Sequence, residues 1–424
     1  MGSPWTCVPA NQLQNCHAGK FDSKILMASH QAWTNRIGAL AVGLGLAMSV
    51  VIVPCWWSIF RDHNPICSQN KPDFISLYTG AVLASTDRAA LYDLERQRRV
   101  QQPIDPSRGD WVLPFFYPPF FALFLAPLSA LSFSTAFALM TLFNFILLAI
   151  ALQVLLHELD LNRHQVRWLL LATFCNYGVL YALLEAQTSF IALTLFALFV
   201  STLNSPAKGK AGTWSGLMFF KPQLALVPLI ILIARRRWLA ILLTMGVLGT
   251  MVLLTFFVMG LQGLEHYLTA AREAWSADSF LHIMRPEQPE RMHNLRGLAY
   301  YFFPAPWREY VWQFLALAVI AMIANQCIRH ESLSYSAWLK ILVGLILVTP
   351  HLHDHDTTLL ILPAAFLLKL GGDEVPAWVA LTLVVAGFLP LLNTLAYPHL
   401  PPLIPLAGMV YLLAEARQLL KPVR

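Results

Sequence analysis

The sequence predicts an all-α protein that crosses the membrane many times. Of its 424 residues, 57% are hydrophobic and only 12% are charged, whereas a soluble domain has about 25% charged residues. The mean hydropathy is +0.57. Apolar runs of about 17 to 25 residues, the length of a membrane-spanning helix, recur along the chain. Because lipid cannot solvate the backbone, each run is expected to be helical. The predicted fold class is therefore an all-α polytopic membrane protein with about 11 to 13 transmembrane helices.

The apolar segments are separated by loops of two kinds. In order, the segments occupy residues 37–60, 114–131, 133–156, 168–184, 187–203, 212–234, 239–260, 309–328, 337–350, 357–370, 376–392 and 403–418. Several short loops carry Lys or Arg, such as those with Arg163 and with Arg235 to Arg237. The loops at 185–188, 350–356 and 393–402 carry none. Short basic loops stay in the cytoplasm, so the loops without Lys or Arg are predicted to face outward.

This orientation places both termini in the cytoplasm and requires two irregular segments. Run 212–234 is expected to be two shortened helices that meet at Lys221-Pro222. Run 114–131 is expected not to cross fully, because three prolines interrupt it. The predicted organisation is a cytoplasmic tail at 1–35, one transmembrane domain at 36–418 with outer loops at 61–113 and 261–308, and a cytoplasmic tail at 419–424.

The first outer loop is predicted to contain an amphipathic helix on the membrane surface over residues 74–101. Its first half is apolar on one face, and Asp87 and Glu95 lie in its more polar second half.

The cysteines and the basic residues indicate which partners to expect. Cys55 and Cys67 could form a disulfide on the outer side. No CxxC motif is present, so no zinc site is predicted. No basic run with interleaved aromatic residues occurs, so nucleic acid is not an expected partner.

Asp73 is the first candidate catalytic residue. It follows the first span, close to the membrane surface, where an enzyme acting on a lipid-borne substrate needs a general base. A carboxylate there can accept the proton of a sugar hydroxyl that attacks an electrophilic carbon. Asp before a helical run is also a standard N-cap, and that position would weaken it as a base. The sequence leaves both roles open.

Lys221 lies inside an apolar run, between Phe220 and Leu224. Placing a charged side chain in lipid costs at least ~2.5 kcal/mol, so an ionisable residue there is a functional candidate by default. Arg235, the next cytoplasmic marker, follows after roughly 21 Å of helix, which puts Lys221 toward the outer side. The favoured partner is a phosphate group. Snorkelling to the interface is the alternative.

A run of histidines and acids follows Thr349-Pro350 in another outer loop. It contains His351, His353, Asp354, His355 and Asp356. These side chains could hydrogen-bond a phosphate or sugar, hold a metal or form a solvated turn. The alternating spacing is not a zinc signature. The favoured prediction is substrate contact, with the histidines on a phosphate and no metal bound.

Four further residues are candidates for substrate contact: Tyr117, Gln187, Asn294 and Arg296. Tyr117 could stack on a sugar or belong to the interfacial aromatic belt. Gln187 lies in a turn that is more simply structural. Asn294 and Arg296 could bind an anionic group, although a solvated surface explains them nearly as well. No GxGxxG, Walker A, HExxH or GxSxG motif is present, and no cofactor is predicted.

Taken in order, several short motifs resemble those of glycosyltransferase family 87, the polyprenyl-phosphate-hexose-dependent transferases of the GT-C superfamily. The segments that carry the resemblance, within residues 37–400, are Asp73-Phe74, Ala90-Leu91-Tyr92-Asp93, Phe116-Tyr117-Pro118-Pro119 with Ala126-Pro127-Leu128, Glu185-Ala186-Gln187-Thr188-Ser189, Phe220-Lys221-Pro222-Gln223 with Arg236-Arg237-Trp238, and Thr349-Pro350-His351-Leu352-His353-Asp354. Ala186 and Ser189 depart from the family pattern, which has Gly and Asn there.

The resemblance implies a GT-C-like helical bundle and a metal-independent, inverting sugar transfer. A hexose, typically mannose, would leave a polyprenyl phosphate for a glycolipid or glycan acceptor. Asp73 would deprotonate the acceptor hydroxyl, and Lys221 with a histidine of the 351–355 cluster would offset charge on the departing phosphate. The expected location is the plasma (inner) membrane, with the active site on its outer, periplasmic side.

A secondary transporter or lipid flippase is the alternative prediction. Transporters commonly have broken helices at matching positions of two halves. Here the breaks at 118–127 and 221–222 have no clear counterpart after residue 300. A non-enzymatic scaffold would give no reason for Lys221. The transferase is therefore the favoured interpretation.

Overall fold

The computed structural model is helical over the residues that it describes. These are residues 34–40, 42–43, 46, 72–106, 109–203, 209–275, 288–330, 332–396 and 399–419. The predicted N-terminal tail up to residue 33, most of the first span and the Cys55–Cys67 pair lie outside the described residues, as do residues 420–424.

Most helices follow the apolar segments of the sequence, but the one that begins at Trp238 continues to Trp275 through a break at Gly260, where φ is 70°. In chain order they are α1 Phe74–Thr86, α2 Leu94–Gln101, α3 Pro119–Leu125, α4 Phe133–Leu159, α5 Arg163–Phe174, α6 Tyr177–Leu184, α7 Ser189–Leu203, α8 Lys210–Leu217, α9 Pro222–Ala234, α10 Trp238–Trp275, α11 Leu295–Phe302, α12 Trp307–Arg329, α13 Tyr335–Val348, α14 Ile361–Gly371, α15 Ala377–Leu395 and α16 Leu403–Leu419. Short 3-10 helices include Met218–Phe220 and Asp354–Leu360.

Several of these helices are long and apolar enough to cross a membrane. Within the described residues, α4, α10, α12 and α15 each meet that criterion, and α5 and α6 meet it together with a bend of 52° between them. Six further apolar helices are shorter, at 10–17 residues. The chain is therefore an all-α polytopic membrane protein, as predicted. The number of crossings, 11 to 13, stays a prediction.

The chain is irregular at both places where the topology required it. Between α8 and α9, Lys221 has the non-helical angles φ −123° and ψ 86°, and Pro222 begins α9. This confirms the predicted break at Lys221-Pro222. In segment 114–131, α3 has 7 residues and continues into a 3-10 helix at Ala126–Ala130. Proline suits the first turn of a helix but interrupts its interior, which accounts for these short elements.

The segment 74–101 differs from the single surface helix that was predicted. Asp87 leaves helical geometry at the end of α1, with φ −150°. The side chain of Asp93 accepts hydrogen bonds from the backbone N–H groups of Glu95 and Arg96 and so begins α2. Nearly all of α1 is buried in the protein rather than along one face only. Of the two acids assigned to the polar half of a single helix, Asp87 ends α1 and Glu95 lies in the first turn of α2.

Small residues allow the helices behind the site to approach closely. A Cβ atom on Gly212 of α8 would lie 2.0 Å from the carbonyl oxygen of Ala240 on α10, and Gly216 packs in the same way against Val247. The hydroxyl of Thr244 on α10 donates to the carbonyl of Gly212 at 3.0 Å. Small residues spaced by four and interhelical hydrogen bonds are the usual means of packing helices in membranes.

Candidate functional site

Asp73 lies at the N-terminal end of α1 and does not cap it. Its side chain forms no capping hydrogen bond. Instead one carboxylate oxygen accepts a hydrogen bond from Nε2 of Gln187 at 3.0 Å, and the backbone N–H of Asp73 donates to Oε2 of Glu185 at 2.5 Å. The sequence left Asp73 as either a general base or an N-cap. The structure shows no capping bond, and the carboxylate instead contacts Gln187 in the turn at 185–188.

The turn at 185–188 is a structural element that holds Gln187 against Asp73. Ala186 is fully buried with a φ of 46°, in the left-handed region that glycine adopts without strain. This explains why the family pattern has glycine at that position. The Gln187 carbonyl accepts a hydrogen bond at 2.9 Å from Nδ2 of Asn144 on α4. Sequence reasoning missed Asn144, although a buried amide within an apolar span is itself a signal.

Lys221 is buried at the break between α8 and α9 and is paired with an acid. Its Nζ lies 2.7 Å from Oδ1 of Asp356, and the two side chains are 8% and 3% exposed. The hydroxyl of Ser189 donates to the same oxygen at 2.9 Å. We call this the Lys221–Asp356 pair. The pair explains how Lys221 can lie inside an apolar segment, because a buried charge requires a partner of opposite charge.

The histidine-rich loop is placed by a close contact between α6 and the 3-10 helix Asp354–Leu360. A Cβ atom on Gly178 would lie 2.0 Å from the hydroxyl oxygen of Thr357, so only glycine fits there. The rings of His351 and His353 are 4.4 Å apart, and those of His353 and His355 are 6.3 Å apart. His355 Nε2 is 3.4 Å from Oδ2 of Asp356.

Asp354 is bound not by Lys221 but by two side chains of the segment that precedes α11. Its two oxygens accept from Nε of Arg291 at 2.9 Å and contact Nε2 of His293 at 2.8 Å. The backbone N–H of His293 also donates to the carbonyl of Leu352 at 2.9 Å. We call Arg291, His293 and Asp354 the Asp354 cluster. Burial alone would raise the pKa of Asp354, but its bond to His293 and the Arg291 guanidinium outweigh burial and hold the pKa at about 2.

Burial keeps two of the loop histidines neutral at pH 7. It lowers the pKa of His353 to about 4, and the neighbouring His355 adds to the effect. Burial also lowers the pKa of His351 well below its usual range, with His353 as the next cause. A neutral imidazole donates one N–H rather than carrying a charge. Lys221 is therefore a cation of the cavity lining to which neither His351 nor His353 adds a charge.

A cavity of about 160 Å³ joins the two charged groups. Its lining includes Asp73, Gln187, Lys221, His351 and His355. Tyr117 also lines it; the phenol oxygen lies 2.9 Å from Oγ1 of Thr188, and the ring is stacked on Phe220 with 2° between the planes. A proton acceptor and a cation thus line one shared cavity. That arrangement can deprotonate a nucleophile and stabilise an anionic leaving group.

The remaining candidates do not line this cavity. Asn294 caps α11 by accepting from the backbone N–H of Gly297 at 2.8 Å. The guanidinium of Arg296 pairs with Glu309 at 2.9 Å and lies over the rings of Tyr300 and Trp312. Asn294 thus contacts its own helix, and Arg296 contacts both its own helix and α12; their contact with substrate stays a prediction. His353, Asp354 and Asp356 stand beside the cavity, in the loop that carries His351 and His355.

The comparison with protein families gives one match. The model described as Glycosyltransferase family 87 matches residues 115–350, which is more than half of the chain. No curated protein and no solved structure matches. The matched range includes Tyr117, Gln187 and Lys221, whereas Asp73 and the loop from His351 onward lie outside it.

Proposed function

Because the chain belongs to glycosyltransferase family 87 and is therefore a membrane glycosyltransferase, we propose that it moves a hexose, typically mannose, from a polyprenyl-phosphate donor to a glycolipid or glycan acceptor. The observation that carries the proposal is the cavity lined by both the Asp73 carboxylate and the Lys221 ammonium. We place the reaction at the outer face of the plasma membrane with both termini in the cytoplasm. The distribution of Lys and Arg among the short loops supports that orientation.

Asp73 acts as the general base. As the acceptor hydroxyl attacks C1 of the sugar, its proton passes to the carboxylate of Asp73, and a new C–O bond forms. The amide of Gln187 donates to one carboxylate oxygen at 3.0 Å and so fixes the direction of the other. Such positioning of a base by a third group is what makes proton transfer efficient. The attack comes from the side opposite the phosphate, and the configuration at C1 inverts.

Lys221 stabilises the departing phosphate. The bond between C1 and the phosphate oxygen breaks, and its electron pair stays on that oxygen. An ammonium has three donors, of which one is bound to Asp356 at 2.7 Å; the others are oriented by this anchoring. His351 and His355 line the same cavity and supply ring N–H donors to the phosphate. Donors arranged in advance around a developing charge typically contribute the largest part of catalysis.

Tyr117 provides one wall of the sugar site. Its hydroxyl is fixed to Thr188, and its ring is held against Phe220 and Phe121. A rigid aromatic face beside a polar cavity is suited to the apolar face of a hexose. Neither the sugar nor the acceptor follows from this wall alone. The choice of mannose rests on the family pattern.

The test is sugar transfer by purified Asp73→Asn protein supplied with labelled polyprenyl-phosphate mannose and membrane acceptors. We expect a loss of about 10²- to 10⁴-fold, the usual contribution of a general base. Asp87→Asn is the matched control, because Asp87 stands at the other end of α1 with its side chain 40% exposed; it should keep wild-type activity. Full activity of Asp73→Asn would remove Asp73 from the mechanism. No transfer from any prenyl-phosphate sugar, together with saturable uptake into vesicles, would favour a transporter.

A further inference from the structure

A second cavity, at the end of α9 opposite to Lys221, is lined by arginines. It has a volume of about 970 Å³ and lies where α9 ends, α10 begins and α12 ends. Its charged lining includes Arg235, Arg236, Arg237 and Arg329. Of the described residues that line it, none is acidic; Glu331, the nearest acid in the sequence, lies outside the described residues.

Three of these arginines have no counter-charge in the described part of the chain. Arg235 is held by the protein, since its guanidinium donates to the carbonyl of His330 at 3.1 Å. In contrast, Arg236, Arg237 and Arg329 form no ion pair with any described residue. Burial lowers the pKa of Arg235, and the neighbouring charge of Arg237 lowers it further. The cavity therefore concentrates positive charge that an anion would offset.

The surroundings of the cavity are apolar and point to a lipid. Both α10 and α12 are candidate membrane spans, and the cavity is at one end of each. Trp238, Leu239 and Ile328 line it and are more than half exposed, Trp238 at 62%. A tryptophan at the end of a span marks the level of lipid headgroups. Acyl chains could lie on these side chains while a headgroup occupies the basic space.

We propose that this arginine cavity binds the headgroup of an anionic phospholipid in the leaflet opposite the proposed active site. The proposal does not depend on the sugar-transfer mechanism, because none of these residues lines the cavity at Asp73 and Lys221. Basic pockets between helices at the cytoplasmic side are a known form of lipid recognition. Arg236 and Arg329, both exposed and contributed by different parts of the chain, are the side chains that we expect to contact the lipid phosphate.

The experiment measures lipid binding by native mass spectrometry of the full chain in detergent. The probes are phosphatidylglycerol and phosphatidylcholine. We expect tighter binding of phosphatidylglycerol, and a loss of about 25-fold for the double variant Arg236→Gln/Arg329→Gln, because each basic residue near an anionic lipid contributes about fivefold, or about 1 kcal/mol. The matched control is Arg163→Gln/Arg167→Gln, which removes two exposed arginines from another predicted cytoplasmic loop. The control should keep wild-type binding.

Two further measurements distinguish a lipid site from a site for free phosphate and test the contribution of charge. Inorganic phosphate at millimolar concentration should not displace phosphatidylglycerol; displacement would mean a site for free phosphate and would overturn the proposal. Raising the salt concentration with wild-type protein should abolish the preference for phosphatidylglycerol, which tests the charge contribution without any variant that fails to fold. Equal binding of both lipids, or an equal loss in the control variant, would also overturn the proposal.

Discussion

The two buried acids of the histidine-rich loop, Asp354 and Asp356, have opposite surroundings. Both are almost fully buried, at 1% and 2% exposed, and they are only two residues apart. Asp356 holds Lys221, which faces the cavity. Asp354 is bound by Arg291 and His293, not by Lys221. One short segment thus carries two charge pairs. The Lys221–Asp356 pair lies beside the cavity, and the Asp354 cluster attaches the histidine-rich loop to the segment that contains Arg291 and His293.

Burial and pairing alone therefore do not identify an ion pair that takes part in catalysis. Both pairs remove an acid from solvent, and both replace water by a cation. They differ in what else the cation can reach: Lys221 lines the cavity, whereas Arg291 does not. We therefore expect substitutions at Lys221 to affect catalysis, and substitutions in the Asp354 cluster to affect stability.

The largest effect is expected for Lys221→Gln. Loss of the cation should lower sugar transfer by about 10²- to 10³-fold, as for removal of a donor to a developing oxyanion. It should also destabilise the fold by about 3 kcal/mol, since the buried Asp356 loses its lysine and keeps only Ser189 and His355 as partners. The double variant Lys221→Gln/Asp356→Asn removes that charge, so stability should recover while transfer stays low. Recovery of transfer together with stability would show that Lys221 has only a structural role.

The opposite result is expected for Asp354→Asn. This change leaves Arg291 with a neutral partner, which should cost about 3 kcal/mol of stability. The protein that remains folded should keep its turnover within a few-fold, because Asp354 does not line the cavity. Thermal unfolding in detergent and activity per folded molecule measure the two effects separately. A loss of turnover as large as that of Lys221→Gln, at unchanged stability, would contradict the distinction between the pairs.

How the two acids would differ could not be predicted from the sequence, which gives both as candidates for substrate contact. The reason is geometric: they lie on a 3-10 helix, where successive residues are turned by about 120°, so residues two apart point in different directions. An alternating pattern of polar residues does not show that the segment has this geometry. The residues that bind these two acids are also distant from them in sequence: Arg291 and His293 bind Asp354, and Ser189 binds Asp356.

Other parts of the site could be predicted because they depend on local physics. An apolar run with an internal Lys-Pro gives a broken helix, and the structure has one at Lys221. Most helix ends follow the boundaries of the apolar runs, although α10 ends at Trp275, well beyond the run at 239–260. The division of 74–101 was missed, because Asp93 caps a helix through its side chain while hydropathy shows only a polar position. The roles of Asp73, Lys221 and the histidines remain proposals, although the structure places Asp73, Lys221, His351 and His355 at one cavity.

A smaller effect is expected from pH. The pKa of His353 is about 4 in the folded protein and about 6.5 in an unfolded chain. Between these values the unfolded chain binds a proton that the native protein does not, so stability is complete above about pH 6.5 and falls as the pH is lowered toward 4. The slope from this residue is up to about 1.4 kcal/mol per pH unit. The unfolding temperature in detergent, followed from pH 7 to pH 4, should therefore fall less steeply in His353→Gln; an unchanged slope would exclude His353 as its source.

The smallest expected effect concerns the turn that positions Gln187. Ala186 has a φ of 46°, a conformation that costs an L-residue roughly 1–2 kcal/mol. Ala186→Gly removes this strain but increases the entropy of the unfolded chain, which offsets about 0.4–1 kcal/mol, so the net change should be a stabilisation of about 0 to 1.6 kcal/mol. Ala186→Val should destabilise the protein, because a β-branched residue is a steric outlier at positive φ. Since the turn aims Gln187 at Asp73, the valine variant should also lose transfer activity, while the glycine variant keeps it. If valine were tolerated in both assays, the turn at 185–188 would not be what orients the proposed base.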